Sequence, residues 1–595
     1  MHEVSQAWKD MHQRQMLGES YIELSFSVTD PDAAEDVEAT DDGHVYLSDT
    51  EQITIEEYRQ APKYATLEHN FWRADGTYRI PPTVPDKYAG YIGATLANED
   101  GLLSPAPVIT LNFDKLYDTT LPGLTITWST LYQEYATDFT ITAYGNSGEV
   151  ARRTVTGNTD VRSVVSMDVT GYNRIELAIQ GWSKPGHYPR IERLRIGLVV
   201  SYGKSDIMSY DHSQEVSPIS ASLPVASVSF ALNNTDNKFD PNNATGMSKY
   251  LVERQRITAT YGLKLADGSI EYIPAGVFFL SEWNAPQNGL EATFTARNTL
   301  DFLQGEYVRG VYSPAGVTLY DLAEDVLSTA DMPLLQDGSP MWVIDESLKD
   351  MTTTAPLPLC TQAVALQYIA QAAGCVMHCD KECVLHIEKA AQHMTDYAIT
   401  NLVLYEHPEL TLQKPLKSVA VKLHEYYPDE SGKELFNGIV PVNGTATVTL
   451  TYSEPATDVT ATVTGGVLTA AEYYSHACVL TLAGSGDVSI VVTGTTLKDS
   501  ASDYMVFNAD EGDVQTVDNP IITSTARAAA VGEWVCAWLS QRKQISVSSY
   551  RADTRLEMMD VISVANKFSS ENVCITSARW SYSGAFRGSV EGRVV

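Results

Sequence analysis

The feature that most restricts this chain is its scarcity of long helical periodicity. Most of it is short runs rich in Val, Thr, Ile and Tyr, broken by Gly, Asn, Asp and Pro. Such runs alternate their side chains between two faces and end where the backbone turns, so they build sandwiches and barrels. At about 100–200 residues per domain, the chain holds roughly three to five units.

Six regions follow from the pattern. Residues 1–60 open on a short helix with Val4, Trp8 and Met11 on one face, then a strand over Tyr21–Val28. The acidic stretch DPDAAEDVEATDDG reads as an exposed loop. Residues 64–200 read as one β-sandwich, in which Leu124, Ile126 and Trp128 alternate onto one face. Residues 205–303 return to a second β pattern, interrupted by the turn-rich NNTDNKFDPNN. This region and residues 1–60 are expected to form one discontinuous domain, with the sandwich inserted between them.

Residues 304–415 contain two helices. In VTLYDLAEDVLSTA, Leu319, Leu322, Ala323, Val326 and Leu327 form one stripe and Thr318 with Asp321 gives an approximate capping box. In QAVALQYIAQAAG, Ala365, Tyr368, Ile369 and Ala372 lie together and Gly374 is a natural stop. The hairpin CVMHC–DKE–CVLHIEK comes next. Residues 438–500 have the texture of a small Ig-like β insertion. Residues 501–595 close the chain as a compact α+β unit. Its helix carries Val531, Trp534, Val535, Trp538 and Leu539 on one side, and the two tryptophans are expected to anchor it. The fold expected is therefore multidomain and mainly β, with α+β parts.

Charge and cysteine content narrow the function. The net charge of -34 repels nucleic acid and anionic membranes. It fits plain solubility, or an acidic channel wall that DNA slides past. Seven cysteines are too few for a disulfide scaffold. The polar start lacks a signal peptide's apolar core, and no stretch approaches the ~20 apolar residues of a membrane helix. The protein is expected to be made in the cytoplasm, and to stay there or leave within a particle.

Cys375, His378, Cys379, Cys383 and His386 invite a zinc reading, but the cysteine spacing is not the usual pair, and small apolar core cysteines explain it better. Asn234, Asp236 and Asp240 resemble an oxygen cage only loosely and suit a turn. No nucleophile elbow, zinc-protease motif or phosphate loop is present, so no catalytic residue, metal or cofactor is expected. Two carboxylates suited to glycoside hydrolysis give no signal of their own. A glycan contact is expected, if anywhere, at Trp182, His187, Tyr188 and Arg190, in the Pro/Gly loop GWSKPGHYPR at a strand end of the sandwich.

Three segments resemble the tail hub and tail-tip proteins of long-tailed phages and phage-like injection systems. The first is DNPIITSTARAAAVGEWVCAWLSQRKQISVSSYRADTRLEMMDVISV. It shares an Asn-Pro-hydrophobic start at Asn519, Pro520 and Ile521, a long helix, and Leu556, Glu557 and Asp560 before the last strands. Met559 stands where such proteins usually have Gly. The second is ALQYIAQAAGCVMHCDKECVLHI, similar to the helix-hairpin unit between the two tube-like domains of hubs. The third is PVASVSFALNNTDNKFDPNNATGMSKYLVERQRITATYGL, similar to the first tube-like domain in tail proteins of phages from Gram-positive hosts. YATLEHNFWRADGTYRI and the sandwich after it resemble galactose-binding-type inserts.

The resemblance implies two tube-like hub domains per subunit and a homotrimer, hence six modules that adapt a six-fold tail tube to a three-fold tip. It implies a virion tail-tip location, synthesis in the bacterial host cytoplasm, and DNA passing through without specific binding. The implied partners are the distal tail protein, tail tube, tape measure protein and tip or fibre proteins, with a host surface glycan as a further candidate. Two rivals remain: a glycan-binding host-recognition adhesin and a cell-wall-degrading tail enzyme.

Overall fold

The protein is mainly β, with a few helices and several separate sheets. The computed structural model describes all residues except 13, 15–18, 29–32, 34, 35, 44, 48, 49, 55–62, 75, 77, 82–89, 244–246, 287, 288, 334 and 336–338. Among the described residues no helix is long and apolar enough to cross a membrane.

The largest element is a 13-stranded sheet built by distant parts of the chain. One half is formed by Ser20–Val28, Leu198–Tyr202, Ile207–Glu215, Val225–Asn233, Arg256–Lys264, Ile270–Asn284 and Glu291–Arg297. The other half is formed by His393–Ile399, Glu409–Leu412, Lys543–Arg551, Asp560–Ala565, Ser570–Tyr582 and Phe586–Val594. The halves meet where Ile207–Glu215 pairs antiparallel with Ser570–Tyr582. Period-two alternation makes one face apolar: Ile22, Leu24 and Phe26 are buried, while Glu23 and Ser25 between them are half-exposed. Phe26 meets Phe230 and Phe294 edge-on, with centroids 5.8 and 5.5 Å away, in a core that also takes in Ile545, Val547 and Trp580 of the second half.

The sandwich packs a five-stranded sheet on a three-stranded one. Trp128, from the smaller sheet, is fully buried between Phe139 and Trp182 of the larger. The acidic stretch departs from expectation. Glu38–Asp41 is a strand paired with Val108–Tyr117, and Ala33, Ala39 and Ile53 lie in the sandwich core. A single alanine facing inward between polar neighbours suffices for an edge strand, so the sandwich recruits residues before 64. Residues 30–32, 34 and 35 of that stretch lie outside the described residues.

In the insertion, Lys433–Thr451, Ala456–Thr464 and Val467–Tyr473 all pair with one long strand, Ala477–Phe507. Its core holds Leu450, Leu480, Leu482, Val488, Ile490 and Val492. The same long strand runs on to pair with Leu416–Pro428.

Three helices pack in succession beside that last pair of strands, with Thr525–Leu539 directly on it. Leu319–Ser328 is capped by Thr318, whose side chain accepts from the Asp321 amide. Gln362–Ala373 is capped by Thr361 and stops at Gly374, which is left-handed with φ 67°. Thr525–Leu539 is capped by Ser524 and lays Val531, Gly532 and Val535 on the sheet. A Cβ at Gly532 would stand 2.6 Å from Val506, so glycine sets how closely this helix approaches. Trp538 is buried against Val216, Val376 and Met559, while Trp534 is only half-buried. Trp538→Ala should therefore lower unfolding stability by about 3–5 kcal/mol. Trp534→Ala should cost clearly less, as read by urea denaturation.

Candidate functional site

The seam between the two halves of the large sheet carries two contrasting faces. On the buried face, Phe294, Phe230, Tyr210 and Tyr582 are consecutive cross-strand neighbours, followed by Phe586. The next row is Ala296, Val228, His212, Trp580 and Gly588, with the Tyr550 ring filling the space over Gly588. On the opposite face the matching rows are Thr295, Ser229, Asp211, Ser581, Arg587 and Arg297, Ser227, Ser213, Arg579, Ser589. These rows cross the seam without a break. Small hydroxyls dominate them, and the Asp211 carboxylate meets the Arg579 guanidinium at 2.8 Å across it. Three arginines stand in these rows, and two of them are paired with acids, Arg579 with Asp211 and Arg297 with Asp301.

His212 is the one imidazole in the buried seam rows. Its Nδ1 lies 2.9 Å from the Tyr261 hydroxyl, Phe278 meets it edge-on, and Trp580 tilts over it. Burial, reinforced by the nearby Lys381 charge, pushes its pKa down to about 3.

The four residues singled out for glycan contact answer to two buried glutamates. Trp182 Nε1 donates to Glu134 at 3.0 Å, and His187 Nδ1 lies 2.7 Å from the other Glu134 oxygen. The Tyr188 amide donates to Glu68 at 2.8 Å, and Arg190 forms a bidentate pair with the same carboxylate. Trp182 and Arg190 are buried, whereas His187 and Tyr188 are half-buried. The Arg190 guanidinium also stands over Phe71, 4.6 Å from the ring centroid. Glu68 and Glu134 escaped the sequence reading because nothing local marks a glutamate as buried. Trp72, beside Phe71, is 47% exposed.

The cysteines of the hairpin are packing groups. Cys375 and Cys383 are buried, and burial pushes their thiols up to about 11 and about 12. The Thr299 hydroxyl lies 3.2 Å from Cys379 Sγ. The two histidines instead come together on the other face. His378 pairs directly across the hairpin with His386, and Glu388 joins them. Glu388 was missed, although its spacing from His386 places both on one strand face. The turn 233–243 is held by its own side chains: Asn234, Asp236 and Asp240 accept from the amides of Phe239, Lys238 and Asn242.

The C-terminal motif residues have structural tasks. Asn519 is fully buried, donating to the Tyr368 carbonyl at 2.8 Å and accepting from the Ile521 amide. Met559 has φ 69°, the left-handed region that glycine adopts most easily. Asp560 accepts from the Glu557 amide at 2.9 Å.

No family model matches this chain, and no curated protein matches it. Several solved structures do. A prophage tail protein from Listeria monocytogenes is 9% identical, with a TM-score of 0.36, over 66% of this chain and 91% of its own. The tail protein of prophage MuSo2 from Shewanella oneidensis is 9% identical, with a TM-score of 0.35, over 67% and 96%. A tail protein from Neisseria meningitidis is 9% identical, with a TM-score of 0.34, over 65% and 92%. Each of these three structures is described as a tail protein.

Proposed function

We propose that the chain is the structural hub of a phage-type tail tip, a scaffold that forms part of the wall of a DNA passage. The observation that carries this reading is the seam: two β modules from distant parts of the chain share one sheet with an unbroken Ser/Thr-rich face. A net charge of -34 supports passage without adhesion. In this reading three copies give six modules, joining the six-fold tube to a three-fold tip and gating the channel. The strand Glu409–Leu412 lies at an end of the large sheet, with Leu410 and Leu412 more than half exposed, and supplies an edge for a neighbouring copy. The distal tail protein, tape measure protein and tip or fibre proteins are its expected neighbours in the virion.

Imaging of particles with a labelled antibody tests this. Label at the tail tip is expected; label along the shaft, at the head or on no particle would sink it. Light scattering at high concentration should show trimers that Leu410→Glu with Leu412→Glu reduces to monomers. The purified chain should release no sugars or muropeptides from host cell wall.

Trp72 favours a second role for the sandwich. An exposed tryptophan beside the ordered loop at His187 and Tyr188 suits stacking on a sugar. Host wall polysaccharide should bind the whole chain, and Trp72→Ala should weaken binding at least tenfold without changing the melting temperature. Absence of binding by the wild-type chain removes this role and leaves the hub reading intact.

A further inference from the structure

We propose that His378, His386 and Glu388 hold a divalent transition-metal cation of the zinc class on the outer face of the hairpin.

The hairpin strands Cys375–Cys379 and Leu385–Lys389 place the three together. His378 and His386 are directly opposed across the hairpin, and their rings stack with centroids 5.1 Å apart and planes at 8°. Glu388 follows His386 by two positions and so shares its face. His378 Nε2 lies 2.9 Å from one Glu388 oxygen, and His386 Nδ1 lies 3.9 Å from the other. One ligand atom from each residue fits within 4.8 Å of the others. Zinc bonds of ~2.0–2.2 Å put neighbouring ligand atoms ~3.2–3.6 Å apart, so modest side-chain rotations close the set.

Asp380 supplies the outer support that metal-binding histidines use. Its carboxylate lies 3.0 Å from His386 Nε2, which leaves Nδ1, the nitrogen facing Glu388, as the ligand. The neighbouring cations are engaged elsewhere. Lys389 donates to the Ala373 carbonyl at 2.7 Å, and Lys381 pairs with Glu557 at 3.6 Å. His378 and Glu388 border a cavity of about 160 Å³, also lined by His393, Glu557 and Asp560, with room for water or a further ligand at an open fourth position. Two imidazoles with a carboxylate suit zinc, nickel or cobalt better than calcium or magnesium.

Calorimetric titration of Zn²⁺ into the metal-free full chain, with Co²⁺ as an optical probe, tests the site. One ion per chain is expected. Glu388→Gln should lower affinity at least tenfold, and Asp380→Asn roughly 10–100-fold. Cys379→Ser should leave affinity unchanged. His378→Ala should abolish the Co²⁺ absorption of the bound site. If that variant misfolds, Glu388→Gln still decides, because its half-exposed side chain keeps its shape. Lack of stoichiometric uptake overturns the proposal, as does uptake that survives Glu388→Gln or disappears in Cys379→Ser.

Discussion

Acidification from pH 7 to pH 4 is expected to destabilise the seam sharply, and His212→Phe is expected to remove most of that effect. In the folded protein burial holds His212 at about 3, against an ordinary value of 6.5. Unfolded chains therefore take up a proton below pH 6.5 that the folded chain refuses. The stabilisation is complete above 6.5 and drains away as the pH falls toward 3. The full gap corresponds to about 5 kcal/mol. That is large against a typical domain stability of ~5–15 kcal/mol. Phenylalanine keeps a ring between Phe278 and Trp580 and carries no charge. The Tyr261 hydroxyl retains the Tyr210 hydroxyl at 3.1 Å as a partner. Urea unfolding at a series of pH values reads both chains. Parallel pH profiles for the two proteins would falsify the assignment to His212.

The second large effect is expected at Glu68. Glu68→Leu leaves the Arg190 guanidinium buried with its charge uncompensated. One partner removed from such a pair costs about 3–5 kcal/mol. The Glu68 side chain is fully buried and also accepts from Thr66 and the Tyr188 amide, so the loss falls toward the upper end. The double variant Glu68→Leu with Arg190→Met should recover most of the stability, because removing both charges also removes the desolvation cost. A thermal melt followed by tryptophan fluorescence is suited to this, since Trp128 and Trp182 report on the same sandwich. A double variant as unstable as the single one would show that the pair's hydrogen-bond geometry, and not its charge, holds the loop.

The local signals in the sequence were strong where a single element determines its own shape. Thr318, Gly374 and the apolar stripe of Leu319, Leu322, Ala323, Val326 and Leu327 act within one turn or one helix, and all appear where the pattern places them. Burial along strands was legible for the same reason, as Trp128 shows. Long-range features were not. Pairing between Ile207–Glu215 and Ser570–Tyr582 has no local signature, because either strand could serve as an edge. Glu68, Glu134 and Glu388 look like surface acids until the fold brings a guanidinium, an indole or an imidazole to them. Trp534 and Trp538 share one periodic stripe, yet Trp534 is the less buried. The stripe spans two neighbouring clusters, and of the two tryptophans Trp538 is the one that is buried. Met559 shows how a motif departure is read physically. Its left-handed backbone costs about 1–2 kcal/mol that glycine would avoid. Its side chain is buried beside Trp538 and Val376, and Met→Ala truncation in a core costs about 2–5 kcal/mol. Burial outweighs strain, so Met559→Gly should destabilise the protein despite relaxing the backbone.

The seam also imposes a timetable on synthesis. The strand ending at Glu215 leaves the ribosome about 355 residues before its partner begins at Ser570. At ~5–20 residues per second, that edge waits roughly 20–70 s for its mate. An unpaired strand edge in a crowded cell recruits whatever strand it meets. Asp211 and Glu215 are the two charges on that strand, and during the wait they are its own defence against premature pairing. Once Ser570–Tyr582 arrives, Arg579 neutralises the first of them, and the guard becomes a clasp.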